Sequence, residues 1–205
     1  MIFVTGCARS GTSLATQILQ AHGCYLGKAN RVNILYENIS IRENILKPYL
    51  IGVGADPLGQ DKLPDTDHLP SVKGLRDRIF QEFLTGEPPF AYKDAKLTLV
   101  WPIFHDAFPE AKWILMRRDK DKIVDSCVRA LFMKKRNSRS GWEHWVDEHE
   151  KRFVRMREEL DLIEVWADKI VDDPQEFAEV AEFCKLKFRP DATNAAIKPK
   201  LWHGS

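Results

Sequence analysis

What the sequence lacks narrows its function first. Thirty-one basic residues stand against 30 acidic ones, so neither sign is in excess and nonspecific binding to a nucleic-acid polymer is not implied. No apolar run approaches the roughly twenty residues that a membrane helix needs, and no charged leader precedes the first strand-like run, so a cytoplasmic protein with no membrane partner is expected. The four cysteines, Cys7, Cys24, Cys127 and Cys184, have no metal-ligand spacing and no secreted context, which predicts reduced thiols and no metal site. Cys7, lying in a loop, is expected to be open to alkylation. Internal repeats and low-complexity tracts are missing too, and about two hundred residues suit a single domain spanning 1–205.

What is present is concentrated at the start. Ile2-Phe3-Val4-Thr5 reads as a buried strand, and Leu14, Ile18 and Leu19 fall on one face of a helix that stops near Gly23. Between them runs Gly6-Cys7-Ala8-Arg9-Ser10-Gly11-Thr12-Ser13. The amides of such a loop and of the first helical turn have no partners inside the helix, and the helix dipole adds positive charge there, so an anion is the natural guest. The spacing is that of the P-loop, with one omission: Thr12 stands where the lysine that handles β- and γ-phosphates belongs. The positive charge sits inside the loop instead, on Arg9.

A second cluster follows the apolar run Trp113 to Met116. Arg118 lies at the carboxyl end of this expected strand, the ligand edge of an open parallel sheet, and Ser126 lies two turns along a helix carrying Ile123, Val124, Cys127, Val128 and Leu131. A guanidinium and a hydroxyl so arranged can share one phosphate. Read alone, Arg117 to Lys122 is better taken as a solvated charge run with alternating signs.

Taken together, these segments resemble the sulfotransferases that use 3′-phosphoadenosine-5′-phosphosulfate. Arg9-Ser10-Gly11-Thr12-Ser13-Leu14 is similar to their 5′-phosphosulfate loop, in the arginine-bearing form of tyrosylprotein sulfotransferases and many bacterial relatives. Arg118 and Ser126, eight positions apart, reproduce their 3′-phosphate signature. Tyr92-Lys93-Asp94 resembles their Lys-Asp-Pro strand end, although Ala95 replaces the proline; the resemblance nominates Lys93 at the transferring group. Asn33-Ile34-Leu35-Tyr36-Glu37 and Asn44 are similar to a bacterial stretch that nominates Glu37 as the base, with a buried carboxyl raised towards neutrality. Gly27-Lys28-Ala29 departs from the Gly-Glu-Glu run of the tyrosylprotein enzymes, which argues against a peptide-tyrosine acceptor. Arg129, one position before an expected arginine, joins the nucleotide set, as do Thr193 and Lys198 in a tail resembling the segment that closes over the nucleotide. Trp166 is the candidate for adenine stacking, since the family's tyrosine falls on Ala167.

The resemblance implies an α/β fold, a P-loop-like open parallel sheet flanked by helices, and in-line transfer of a sulfuryl group to a hydroxyl or amine of a small-molecule or carbohydrate acceptor without a metal. The loop alone also fits a P-loop kinase or nucleotide hydrolase, or a noncatalytic nucleotide-binding protein. Histidines 22, 68, 105, 144, 149 and 203 are rival bases, His105 foremost because its helix starts near Lys93. Elsewhere, Ser40-Ile41-Arg42-Glu43 reads as a capping box, residues 51–70 as a long loop able to serve as a lid or acceptor selector, 72–84 as an amphipathic helix, 142–160 as a helix with an apolar core stripe, 162–165 as a strand, and Asp173-Pro174 as a helix start.

Overall fold

The computed structural model describes residues 1–28, 32–33 and 35–197. In chain order the elements are β1 (Ile2–Gly6), α1 (Thr12–Ala21), α2 (Ile39–Ile41), a π-helical turn (Arg42–Leu46), α3 (Lys47–Gly52), α4 (Leu75–Phe80), β2 (Ala91–Lys93), α5 (Leu97–Ala107), β3 (Lys112–Arg117), α6 (Lys120–Arg129), α7 (Arg139–Glu159), β4 (Leu162–Trp166), α8 (Ala167–Asp172), α9 (Phe177–Phe183) and α10 (Pro190–Ala196). The four strands form one parallel sheet in the order β2-β1-β3-β4. This is the α/β arrangement expected.

Strand periodicity sorts the core into two layers. Phe3, Trp113 and Leu115 face α5, α6 and α7, whereas Ile2, Val4, Ile114 and Met116 face α1, α8 and α9. Alternate side chains of a strand point to opposite faces, and each face of a parallel sheet must be covered. Phe3 anchors the first layer, its ring 4.7 Å from Trp113 and 5.4 Å from Phe108.

The strand order puts a switch point where the chemistry was expected. From β1 the chain moves outward to β2, and from β3 it moves the other way to β4, so the loops leaving β1 and β3 part company above a shared crevice. In open α/β sheets this is where ligands bind. Gly6 pairs with Met116 in the register, which brings the loop after Gly6 beside the turn containing Arg118.

Several local expectations need correction. The helix after residue 38 is capped by Asn38, whose Oδ1 accepts from the amide of Ile41 at 3.1 Å. Ser40 is therefore inside the helix, and Glu43 pairs with Lys47 and Arg42 instead of closing a capping box. The helix expected over 72–84 is limited to Leu75–Phe80. Val128 and Leu131 continue the apolar spacing of α6 yet are 57% and 84% exposed; α6 ends at Arg129, so Leu131 lies beyond it. The loop 51–70 is tied down: the Trp145 indole donates to Gly59 O at 2.8 Å, the Arg152 guanidinium to Pro64 O at 2.9 Å and the Tyr49 hydroxyl to Pro70 O at 2.7 Å. The stripe along α7, the strand at β4 and the turn at Asp173, which caps the residues that follow it, stand as expected.

Candidate active site

The loop from Gly6 to Ser13 is built to leave amides unsatisfied. Gly11, the residue before α1, is left-handed at φ 98° and supplies no side-chain cap; Leu14 donates to Gly11 O at 2.9 Å, which leaves the Thr12 and Ser13 amides to an outside acceptor. Arg9 is also left-handed, at φ 74°. A non-glycine residue held there costs roughly 1–3 kcal/mol, a strain that persists only where the surroundings impose it. Gly6 is required for a different reason: a Cβ there would lie 2.4 Å from Met116 O and 2.6 Å from Ser10 Oγ. The Ser10 hydroxyl is buried and, among the described residues, has no hydrogen-bond partner. A buried hydroxyl so placed fits the oxygen of an anion held by the loop.

Arg118 and Ser126 close on this loop. Arg118 follows β3 directly and its Nη1 donates to Arg9 O at 3.2 Å; Arg9 Nε donates to Ser126 Oγ at 2.8 Å. Three residues far apart in sequence thus form one basic patch at the crevice. Burial lowers the Arg118 guanidinium below its ordinary value, and the charges of Arg9 and Arg129 lower it further, against the pull of Asp168 and Asp119. Crowding cations on a partly desolvated edge is unfavourable until an anion arrives. Its neighbour Arg117 plays no such part: it is paired with Glu150 at 2.7 Å and Glu164 at 2.9 Å, a structural ion cluster.

A second buried cluster stands at the end of β2. Lys93 is 3% exposed and donates to Glu37 Oε1 at 3.0 Å and to Leu35 O at 3.1 Å, and the same carbonyl accepts from Ser13 Oγ at 3.1 Å. Arg42 Nη1 holds the other carboxylate oxygen of Glu37 at 2.9 Å. Burial would push the Glu37 carboxyl up, but the charges of Lys93 and Lys96 and the hydrogen bonds of Lys93 and Arg42 outweigh it, bringing it from 4.5 down to about 2. The expectation of a carboxyl raised towards neutrality is therefore corrected: its partners win over desolvation. Lys93 does not pair with Asp94, which binds Lys96 at 2.7 Å instead.

The remaining candidates divide. Ser10, Gly11, Thr12 and Ser13 lie in the loop and first turn with Arg9, and Arg129 is an exposed residue at the end of α6 whose charge reaches Arg118. Thr193 is fully buried in α10, its hydroxyl donating to Arg189 O at 3.2 Å, and α10 is fastened by the Arg189 amide to His22 at the end of α1 opposite the loop. Lys198 lies outside the described residues. Trp166 ends β4 beside Arg117, whose guanidinium sits 5.3 Å from its ring. His105 lies eight residues along α5 from Leu97, beyond a kink at Val100. Sequence reasoning missed Arg42, the second cation on Glu37, and Phe132, whose ring lies 5.6 Å from the Arg9 guanidinium. Neither has a motif, since both contacts are made through space.

Cys7 is also corrected. Burial pushes its thiol well above the ordinary value, and it is 1% exposed, so the thiolate that alkylation requires is suppressed. All four cysteines are unpaired and buried. No helix among the described residues is long and apolar enough to cross a membrane.

Comparison with known proteins fits the site. The model of the sulfotransferase family matches residues 2–190. No curated protein matches the chain. Among solved structures, the chain is similar to sulfotransferase STF1 from Mycobacterium tuberculosis H37Rv, with 15% identity, a TM-score of 0.57, and 95% of this chain and 69% of that one covered. It is similar too to the sulfotransferase domain from the curacin biosynthetic pathway, with 13% identity, a TM-score of 0.58, and 94% and 76% covered. At such identities these likenesses establish the fold, while the match over nearly the whole chain establishes more: the protein belongs to the sulfotransferase family and is a transferase of sulfuryl groups.

Proposed function

We propose that the sulfuryl donor is 3′-phosphoadenosine-5′-phosphosulfate and that it binds across the carboxyl edge of β1 and β3. The observation that carries this reading is the joining of Arg9, Arg118 and Ser126 at 2.8 and 3.2 Å beside a loop with free first-turn amides. The unpartnered Ser10 hydroxyl fits a phosphate in the loop. In this assignment the amides from Gly11 to Ser13 and the Ser10 hydroxyl hold the 5′-phosphate, and Arg118 and Ser126 hold the 3′-phosphate, with Arg129 nearby. Arg9 leans towards Ser126, so it bridges the two phosphates more than it faces Lys93.

The donor supplies an activated sulfuryl group; positioning and charge are what the chain contributes. Lys93 brings a buried positive charge to the transferring end. Glu37 receives the acceptor proton. Its low ground-state basicity comes mainly from Lys93, so when the ammonium turns to the developing negative charge, the carboxylate retains the Arg42 hydrogen bond and the more distant charge of Lys96 and becomes a stronger base. The acceptor is a hydroxyl or amine on a small molecule or carbohydrate. No residue of the mechanism calls for a metal, and the four free cysteines suit a reducing, cytoplasmic setting. A phosphate-transferring P-loop enzyme is disfavoured by Thr12 at the lysine position.

Thermal unfolding with added nucleotide tests the assignment. Adenosine 3′,5′-bisphosphate at a hundred times its dissociation constant stabilises by about 2.7 kcal/mol, which for a domain of this size raises the melting temperature by about 5–11 °C. ATP with magnesium is expected to give much less. The reverse ranking removes the donor assignment.

A further inference from the structure

We infer that Gln60, in the loop between α3 and α4, is a positioning residue for the donor site, acting on Arg9 through Phe132. This rests on the reading that Arg9 is a donor-binding group. Gln60 is 6% exposed, unusual for a glutamine on a connecting loop. Its side-chain amide spans two backbone groups of the segment that follows α6: Nε2 donates to Phe132 O at 2.9 Å and Oε1 accepts from the Lys134 amide at 3.1 Å. A carbonyl and an amide two residues apart on one edge of the chain are what a neighbouring strand would bind. The glutamine supplies both partners from one planar group, and only an amide of this length can: glutamate lacks the donor and alanine lacks both.

The clamp is itself held. Asp56 accepts from the Gln60 amide at 2.9 Å, Arg136 donates to Gln60 O at 2.9 Å and to Asp61 O at 2.9 Å, and the Trp145 indole fixes Gly59 O at 2.8 Å. Past the clamp, Phe132 remains 54% exposed, yet its ring is set 5.6 Å from the Arg9 guanidinium. An exposed ring kept in one position by its own backbone offers a cation a fixed face. Arg9 donates to Ser126 on its other side. Loop 51–70 therefore serves donor binding as a splint, where the sequence alone suggested a lid or an acceptor selector.

The test combines calorimetric affinity for adenosine 3′,5′-bisphosphate, steady-state kinetics and the Arg9 Nε–Hε resonance of the full chain. Gln60→Ala and Phe132→Leu are each expected to weaken nucleotide affinity and raise the donor KM by about two- to fivefold, the size of an exposed cation–π contact, with kcat and the acceptor KM within twofold. Both variants shift the Arg9 Nε–Hε signal, and their effects on affinity do not add in the double variant. Phe132→Leu changes a surface ring only, so it keeps the test open should Gln60→Ala fold poorly. A merely structural role for Gln60 gives a different pattern, a smaller active fraction with donor KM and the Arg9 signal unchanged, and overturns the inference. If Arg9→Ala weakens nucleotide binding while Phe132→Leu does not, the splint is wrong and the donor site stands; if Arg9→Ala has no effect either, both fall.

Discussion

Replacing Lys93 by methionine isolates the electrostatics on which the transferring end depends. In the folded protein Glu37 is held by Lys93 at 3.0 Å and by Arg42 at 2.9 Å, in a site where Lys93 is 3% exposed and Glu37 7%. A carboxyl lowered from 4.5 to about 2 on folding corresponds to about 3 kcal/mol of stability. The sign is set by the direction of the shift: the contribution is complete above pH 4.5 and is lost as the pH falls from there towards 2. Removing one partner of a buried pair costs roughly 3–5 kcal/mol, and the surviving Arg42 bond puts the expected loss near the lower end, about 3 kcal/mol. For a domain of this size that is about 6–12 °C in melting temperature. The double variant Glu37→Gln/Lys93→Met leaves no buried charge unpaired and is expected to recover about 2 kcal/mol relative to the sum of the single losses. Urea midpoints at pH 7 and pH 3 for the four proteins measure all of this, with the wild-type advantage over Lys93→Met shrinking at the lower pH. A Lys93→Met protein as stable as wild type at pH 7, or strict additivity in the cycle, refutes the buried pair and with it the account of how Glu37 gains basicity.

Other consequences are simpler to measure. Arg118→Ala removes a charge-assisted contact worth about 1.5–3 kcal/mol, so affinity for adenosine 3′,5′-bisphosphate is expected to fall about 10- to 150-fold by calorimetry; unchanged affinity removes Arg118 from the phosphate site. Gly6→Ala drives a methyl against Met116 O at φ +146° and is expected to lower stability by about 3 kcal/mol, read as a lowered urea midpoint, whereas a stable variant shows that the strand end can yield. Burial pushes the thiols of Cys24, Cys127 and Cys184 up to about 12 and that of Cys7 well above its ordinary value, so a thiol reagent at pH 8 is expected to modify the native protein slowly and the urea-unfolded protein at once. Fast native labelling of Cys7 shows that the loop opens.

The sequence by itself determined the parts that obey local rules. Short continuous apolar runs at 2–5 and 113–116 read as buried strands and 162–165 as a further strand, and Gly6 and Gly11 around Arg9 mark a loop before a helix. Arg118 at a strand's carboxyl end and Ser126 two turns on were legible for the same reason, since helix and strand spacing fix both to one edge. What only the tertiary structure decided are the contacts made across the sheet and between loops. The partner of Lys93 is Glu37, 56 residues away, rather than the adjacent Asp94, because the backbone turn at Asn33 to Glu37 carries that carboxylate to the end of β2. That meeting, with Arg42 added, lowers the Glu37 carboxyl where burial alone would have raised it. Gln60 on Phe132, Arg9 against Ser126, and the Arg189 amide on His22 are of the same kind. Spacing along a chain dictates which side chains share a face; which faces meet depends on how all the apolar layers close at once, and no short segment encodes that.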